Sequence, residues 1–343
     1  MKIFITFGEH DLTENIIHLV LARGQNAPQG TKGISLLLVP KIRPDGTKND
    51  LRCVSIEHKL GIQSSPTCAM SYGDNNECDG GLIGSECGSM RAMFTMMNNA
   101  RLNVGLQGVE IAERATQQAF PYARERVQSA LAADPAQGPV PIIEHPDVRR
   151  MLMRMTAQTQ AIRLLVYAAA AEIHRAHLGL PGAQQRLKLL TPLAKSHATD
   201  VGCEVASLAI QIQGGMGVIE EIGAAQHYRD ARIAPIYEGT NGIQAADLVG
   251  RKLMGDKGAG MRALLNDVRT GARSPDLIEL TSTIEHFTDH LLMVSVQDRL
   301  SVSAPYLGAS IYRSPNLLRD DSLVPGSGSE RCDNRGFSGC RIT

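Results

Sequence analysis

The sequence predicts an α+β protein, mostly α, in which a partial β domain leads into an antiparallel helical bundle and a helical C-terminal extension. Two observations carry this. Within residues 1–84, apolar positions come in short runs rich in β-branched side chains, separated by turn formers. From about residue 89 they recur at spacings of three, four and seven, as on one face of a helix.

The β region contains candidate strands at 3–6, 16–22, 34–39 and 68–72. Turn-forming stretches divide them, at Asn26 to Gly30, Pro44 to Gly46 and Gly73 to Asn76. This is too little for a closed barrel: Met1 opens directly on a strand with no partner before it, and such an edge invites association.

The helical period begins with Met93, Met96, Met97, Leu102 and Val109 and continues through Ala112, Ala115 and Ala119. A second helix opens at Pro146, a good first-turn residue, and carries Val148, Leu152, Met155, Ile162, Leu165 and Ile173 on one face. Leu178 to Gly182 stops it. A third presents Leu187, Leu190, Ala194, Val201, Val205 and Leu208, and shorter helices are expected at 219–231 and 242–253. Long amphipathic helices with short connections pack as an antiparallel bundle. After Gly258 the pattern resumes with Met261, Leu264, Leu265, Val268, Ile278, Leu280, Ile284, Phe287 and Leu291. The expected division is a partial β domain over 1–84, a bundle over 89–256, an extension over 257–308 and a disordered tail over 309–343, where few apolar groups offset ordering entropy.

A length of 343 residues suits about two domains, and 43% hydrophobic residues suffice for a sizeable core. The formal net charge is zero, which points away from nucleic acid and anionic membrane surfaces. Seven cysteines without a Cys-x-x-Cys pair favour free thiols in a reducing compartment. The start lacks the features of a signal peptide, and no apolar run approaches the roughly 18 residues of a membrane span. The expectation is a cytoplasmic protein.

Glu238 is the sharpest candidate for chemistry. It lies between Ile233, Ala234, Pro235, Ile236 and Tyr237 on one side and Gly239, Thr240, Asn241 and Gly242 on the other. A carboxylate removes a weakly acidic proton only where its setting is apolar and its geometry fixed; the same residue also reads as a solvated loop Glu acting as a helix cap near Thr240. Gly214, Gly215 and Gly217 could admit a phosphate or adenine close to the backbone, or form a plain helix C-cap. They follow a helix and lack the G-x-G-x-x-G spacing of a dinucleotide fold. Arg101, Arg126, Arg149 and Arg150, at or near expected helix ends, could pair with phosphates or simply be solvated. His286 and His290 have i, i+4 spacing but no third ligand in view, so no metal is expected. Met90, Met93, Met96 and Met97 read as core.

From Lys2 to about Leu253 these motifs, in order, resemble the flavin-dependent acyl-CoA dehydrogenases. Lys2 to Gly8 resembles the family strand beside the flavin, which implies FAD as cofactor, with Phe4 near the ring and Thr6 near its N5. Asn98-Asn-Ala-Arg101 resembles the helix start that contacts acyl-CoA, making Asn98 and Arg101 substrate residues by resemblance. Tyr122-Ala-Arg-Glu-Arg126 is similar to the segment whose arginine meets the FAD pyrophosphate, often across a subunit interface. Gln211, Gly214 and Gly215 match the segment closing over FAD, and Thr240 follows the base near the flavin. Gly8 to Asp11, Glu57 to Gly61 and Ser65 to Thr67 resemble the branch acting on 3-methylmercaptopropionyl-CoA, which also carries a C-terminal extension.

The resemblance implies α,β-dehydrogenation of an acyl-CoA thioester in fatty acid metabolism. Glu238 would take the α-proton while the β-hydrogen leaves as hydride to the flavin. Hydrogen bonds to the thioester oxygen, one from the base's own backbone N–H, would stabilise the developing enolate. It also implies an electron-transfer flavoprotein or similar acceptor, and a homodimer or homotetramer. The chain departs from the family in lacking its N-terminal helical domain and the first part of its β domain. The other expectation is therefore a truncated, non-catalytic remnant that folds and oligomerises without activity.

Overall fold

The computed structural model describes residues 1–294. The β region forms two three-stranded antiparallel sheets. One has the order β1 (Lys2–Thr6), β5 (Thr67–Tyr72), β4 (Leu51–Ile56); the other has β2 (Ile17–Arg23), β3 (Ile34–Pro40), β6 (Gly81–Ile83). The hairpin of β2 and β3 is in register from Ile17 opposite Pro40 to Arg23 opposite Ile34. Two strands escaped the sequence pattern. β4 interrupts its alternation with a register shift between Cys53 and Ser55, and β6 is only three residues long.

The sheets meet through the buried residues of β5 and the inward side of β2 and β3, with His18, Val20 and Val39 facing in. The Tyr72 hydroxyl and His18 Nδ1 lie 2.8 Å apart across this interface. Burial pushes the Tyr72 phenol up to about 12 and draws His18 down, so both stay neutral there.

α1 (Ser89–Glu125), α2 (Pro146–His177) and α3 (Ala183–Gln213) form the bundle. α1 runs unbroken through the Asn98 to Arg101 segment, so Arg101 stands about three turns inside the helix, not at its start. No breaker precedes it, and Pro121 further on is accommodated. α1 and α3 cross on small residues. A Cβ at Gly108 would stand 2.3 Å from the Ala198 carbonyl oxygen, and one at Gly202 would stand 2.9 Å from that of Gly108. Ala112, Ala115, Ala119 and Ala123 face Ala194, Ala198, Ala206 and Ala209 within one buried cluster. Met93 and Met97 are only half-buried and Met96 is exposed, so the methionine group is not the core residue set its spacing suggests.

The bundle is tied to the sheets at two points. Ser89 Oγ donates to the Ile34 carbonyl at 2.6 Å, and the Ile62 N–H donates to Asp230 Oδ1. Residues expected to form a helix over 219–231 do so only from α4 (Ala224–Ala231), because Gly223, at φ 82°, breaks the chain direction beforehand. The expected 242–253 helix becomes α5 (Asn241–Asp247) followed by a π-helical turn, Leu248–Leu253. α6 (Ala259–Gly271) and α7 (Pro275–Met293) form the extension. They share a second core with Leu189 and Leu193 of α3 and with Ala245, Leu248 and Leu253. Residues 295–308 of the expected extension and the 309–343 tail lie outside the described residues.

Candidate active site

Glu238 stands on the turn between α4 and α5, at φ 55°, with Gly239 after it at φ 86°. Two consecutive left-handed residues reverse the chain sharply, a conformation that disfavours a side chain at either position. At Gly239 a Cβ would also meet Gln244 Nε2 at 2.8 Å. Thr240 is the N-cap of α5, its hydroxyl accepting from the Ile243 N–H at 3.2 Å. The capping role weighed for Glu238 therefore belongs to Thr240. Glu238 is half-buried; beside it Ala234 is buried and Ile236 exposed, so the apolar setting is partial.

The turn is fixed from beneath by groups that motif reasoning missed. Lys195, fully buried on α3, donates from Nζ to the Gly239 carbonyl oxygen at 2.8 Å and to Asn241 Oδ1 at 2.9 Å. Gln244, also fully buried, donates to the same Gly239 oxygen at 3.1 Å. Tyr237 donates its hydroxyl to Gln107 of α1. Burial pushes the Tyr237 phenol up and the Gln107 bond opposes this, with the Glu238 charge adding to the rise. Among the described residues the Glu238 N–H itself donates to no acceptor. The one signal in the sequence for Lys195 is a lysine on an apolar helical face, between Ala194 and Ala198. Nothing in its spacing connects it to residue 239.

Arg101 donates to Asp247 Oδ2 at 3.1 Å, with side-chain exposures of 6% and 8%, so both charges are out of water. Arg251 adds a second pair to Asp247. Burial alone would raise the Asp247 carboxyl; the Arg251 hydrogen bond and the charges of Lys252, Arg251 and Arg101 outweigh it and hold the carboxyl below its ordinary range. Asn98 and Arg101 line a cavity of about 370 Å³ with Thr191, Lys188, Asp247 and Lys252.

The other expected residues fall into two groups. At one end of the bundle the Tyr122 hydroxyl donates to the Gln213 carbonyl at 3.2 Å, bringing the end of α1 against the end of α3. Arg126, Gln211, Gly214 and Gly215 are exposed near that junction. Arg126 reaches Gln128 Oε1 at 3.4 Å but has no carboxylate partner among the described residues. A Cβ on Gly214 or Gly215 would meet nothing within 4 Å. Gln213 keeps both carboxamide atoms buried without a partner among the described residues. Backbone open to solvent, a guanidinium without a counter-charge and glycine at φ 59° are suited to an anionic group. In the second group, Phe4 lies at a register shift of β1, at φ 58° and 71% exposed, and Thr6 pairs opposite Thr67. No hydrogen bond joins β1 to the Glu238 turn among the described residues. Arg149 and Arg150 are exposed and paired with Glu144 and Asp147.

Residues 88–254 match the family model described as acyl-CoA dehydrogenase, C-terminal domain. A 3-methylmercaptopropionyl-CoA dehydrogenase from Ruegeria pomeroyi is 49% identical over 318 residues, 87% of this chain and 54% of that protein. This chain belongs to the acyl-CoA dehydrogenase family. A butyryl-CoA dehydrogenase from Syntrophomonas wolfei is 40% identical over 352 residues, covering 94% of this chain and 58% of that one. Among solved structures, the butyryl-CoA dehydrogenase from Megasphaera elsdenii superposes with a TM-score of 0.61 at 29% identity, over 74% of this chain and 59% of that one. The chain thus spans about half the length of the relatives it matches. No helix among the described residues is long and apolar enough to cross a membrane.

Proposed function

We propose that this acyl-CoA dehydrogenase family chain catalyses α,β-dehydrogenation of an acyl-CoA thioester, with Glu238 as the base that takes the α-proton. The observation that carries the reading is the Glu238 turn. The Gly239 carbonyl after the carboxylate is held by Lys195 and the Tyr237 side chain before it by Gln107, while the Glu238 N–H is left unengaged among the described residues. An α-proton of a thioester is too weakly acidic for an unaided carboxylate, so the developing enolate oxygen needs a donor. The free Glu238 N–H is suited to that task, and such preorganised donors are worth about 3–4 kcal/mol each. FAD, when bound, supplies the acceptor for the β-hydrogen. Arg126, Gln211, Gly214 and Gly215 would hold its pyrophosphate end, Phe4 and Thr6 would flank the ring, and Thr240 lies beside the base. Asn98 and Arg101 would contact the acyl-CoA.

The Ruegeria relative supports 3-methylmercaptopropionyl-CoA as substrate, and the family supports an electron-transferring flavoprotein as acceptor. Exposed Met153, Leu164 and Tyr167 along α2 support association into a homodimer or homotetramer. Free thiols at Cys53, Cys68, Cys78, Cys87 and Cys203 fit a reducing, cytoplasmic setting.

The test is the visible spectrum of the purified chain with added FAD, titrated with 3-methylmercaptopropionyl-CoA. Retained flavin that bleaches with substrate, and bleaches about 10²–10⁴ times more slowly in Glu238→Gln, is the expected result. Protein that retains no flavin would instead identify the chain as a folded remnant without activity.

A further inference from the structure

We propose that Lys195 is the positioning residue of the Glu238 turn: its buried amino group, bonded to the Gly239 carbonyl and the Asn241 carboxamide, fixes where the Glu238 carboxylate stands. Its catalytic meaning rests on Glu238 being the base.

The argument starts from cost. Lys195 is among the largest fully buried side chains of the protein; one turn away on α3 lie buried Pro192 and Ala198 together with buried Thr191 and Thr199, and no other charged residue. Taking an ammonium out of water is expensive, and a well-packed apolar residue there would serve stability as well or better. The charged group must therefore do something an apolar one would not.

Its contacts show what that is. Gly239 directly follows Glu238, and its carbonyl oxygen receives both Lys195 Nζ and Gln244 Nε2. Asn241 accepts from Lys195 through Oδ1 and donates through Nδ2 to the Ser196 carbonyl, Thr199 Oγ1 and Asp200 Oδ1 at 3.2, 3.1 and 2.8 Å. One turn of α3 thus holds the chain one and three residues beyond the carboxylate, while Tyr237 is held from α1. Lys195 is the group that joins the two anchor points. The charges that act on it are Asp200 from α3, Glu238 from the turn and Arg101 from α1; Asn241 of α5 is neutral. Desolvation is the largest influence and draws the amine down to about 8, so it is mostly charged at neutral pH.

A positioning role and a merely structural one differ in what Lys195→Met does. The amides that report on the turn are those of Tyr237, Asn241, Ile243 and Gln244, bonded to the Ile233 carbonyl, the Pro235 carbonyl, Thr240 Oγ1 and the Thr240 carbonyl. In Lys195→Met their hydrogen exchange is expected to speed up about tenfold, since charge-assisted bonds are the strong ones. Exchange across the buried stretches of α1 and α3 is expected to change less than at the turn, with at most a small fall in the thermal midpoint because Asn241 Oδ1 loses its donor. Turn amides that exchange at the wild-type rate, or a loss spread evenly over the bundle, would overturn the proposal.

If Lys195→Met does not fold, Lys195→Gln decides. Its shorter, neutral side chain cannot hold both the Gly239 carbonyl and Asn241 Oδ1, so the same four amides are expected to exchange faster than in wild type; unchanged exchange there would overturn the assignment. Exchange is read without FAD or acyl-CoA. Failure of Glu238→Gln to slow bleaching therefore removes the base and leaves this positioning role standing.

Discussion

Arg101 and Asp247, 146 positions apart in sequence, form an ion pair that water scarcely reaches. The pair closes α1 against the end of α5, beside the turn that carries Glu238. Breaking such a pair by removing one partner typically costs about 3–5 kcal/mol, because the other charge stays buried. The two halves are not equivalent here. Arg101→Ala leaves Asp247 with Arg251, and a loss of about 3 kcal/mol is expected in urea unfolding. Asp247→Asn leaves Arg101 facing Lys195, Lys252 and Arg251 without a carboxylate, and a larger loss is expected. Equal losses would contradict this account of the cluster.

The glycines of this chain separate into those that packing needs and those that only a ligand would need. Gly108→Ala drives a methyl into the Ala198 carbonyl at the crossing of α1 and α3. A loss of at least about 1–3 kcal/mol in folding stability is expected, as for overpacked cores. Gly215→Ala meets nothing within 4 Å, and its stability is expected to stay within about 0.5 kcal/mol of wild type. If FAD lies over that backbone, Gly215→Ala weakens flavin retention all the same. Measuring both variants by denaturation and by flavin content separates the two roles.

His197, on α3 two residues beyond Lys195, is drawn down to about 4 by burial. A histidine whose folded pKa is depressed takes up its proton more readily when unfolded. Stability is therefore complete above about pH 6.5 and falls as pH drops toward about 4, by up to about 3 kcal/mol over that window. His18, drawn down by burial at the sheet interface, acts in the same direction. Urea midpoints from pH 7 to pH 4 check this. His197→Gln is expected to flatten part of the fall, and an unchanged slope would assign it to other groups.

Much of the architecture is legible in the residues. The periodicity of Leu152, Met155, Ile162 and of Val201, Val205 places α2 and α3, because which face of a helix is buried follows from local spacing alone. The stop of α2 is equally local: Gly179 and Gly182, just beyond its end, both adopt left-handed φ. The start of α4 is not legible in the residues, because a left-handed Gly223 breaks the chain without any break in apolar spacing. The π-helical turn after α5 likewise leaves no mark in composition.

The sequence by itself determined the helical bundle, the β region before it and Glu238 as the residue to watch. Those are local properties, carried by spacing, turn chemistry and one recognisable segment. Only the tertiary structure decided that Lys195 lies beneath Gly239, that Arg101 is buried against Asp247 and that α1 and α3 meet on glycine. Each of these depends on which faces come together over long separations. There the free energy of a buried charge or a missing Cβ is set by its neighbour, and no feature of the local sequence names that neighbour.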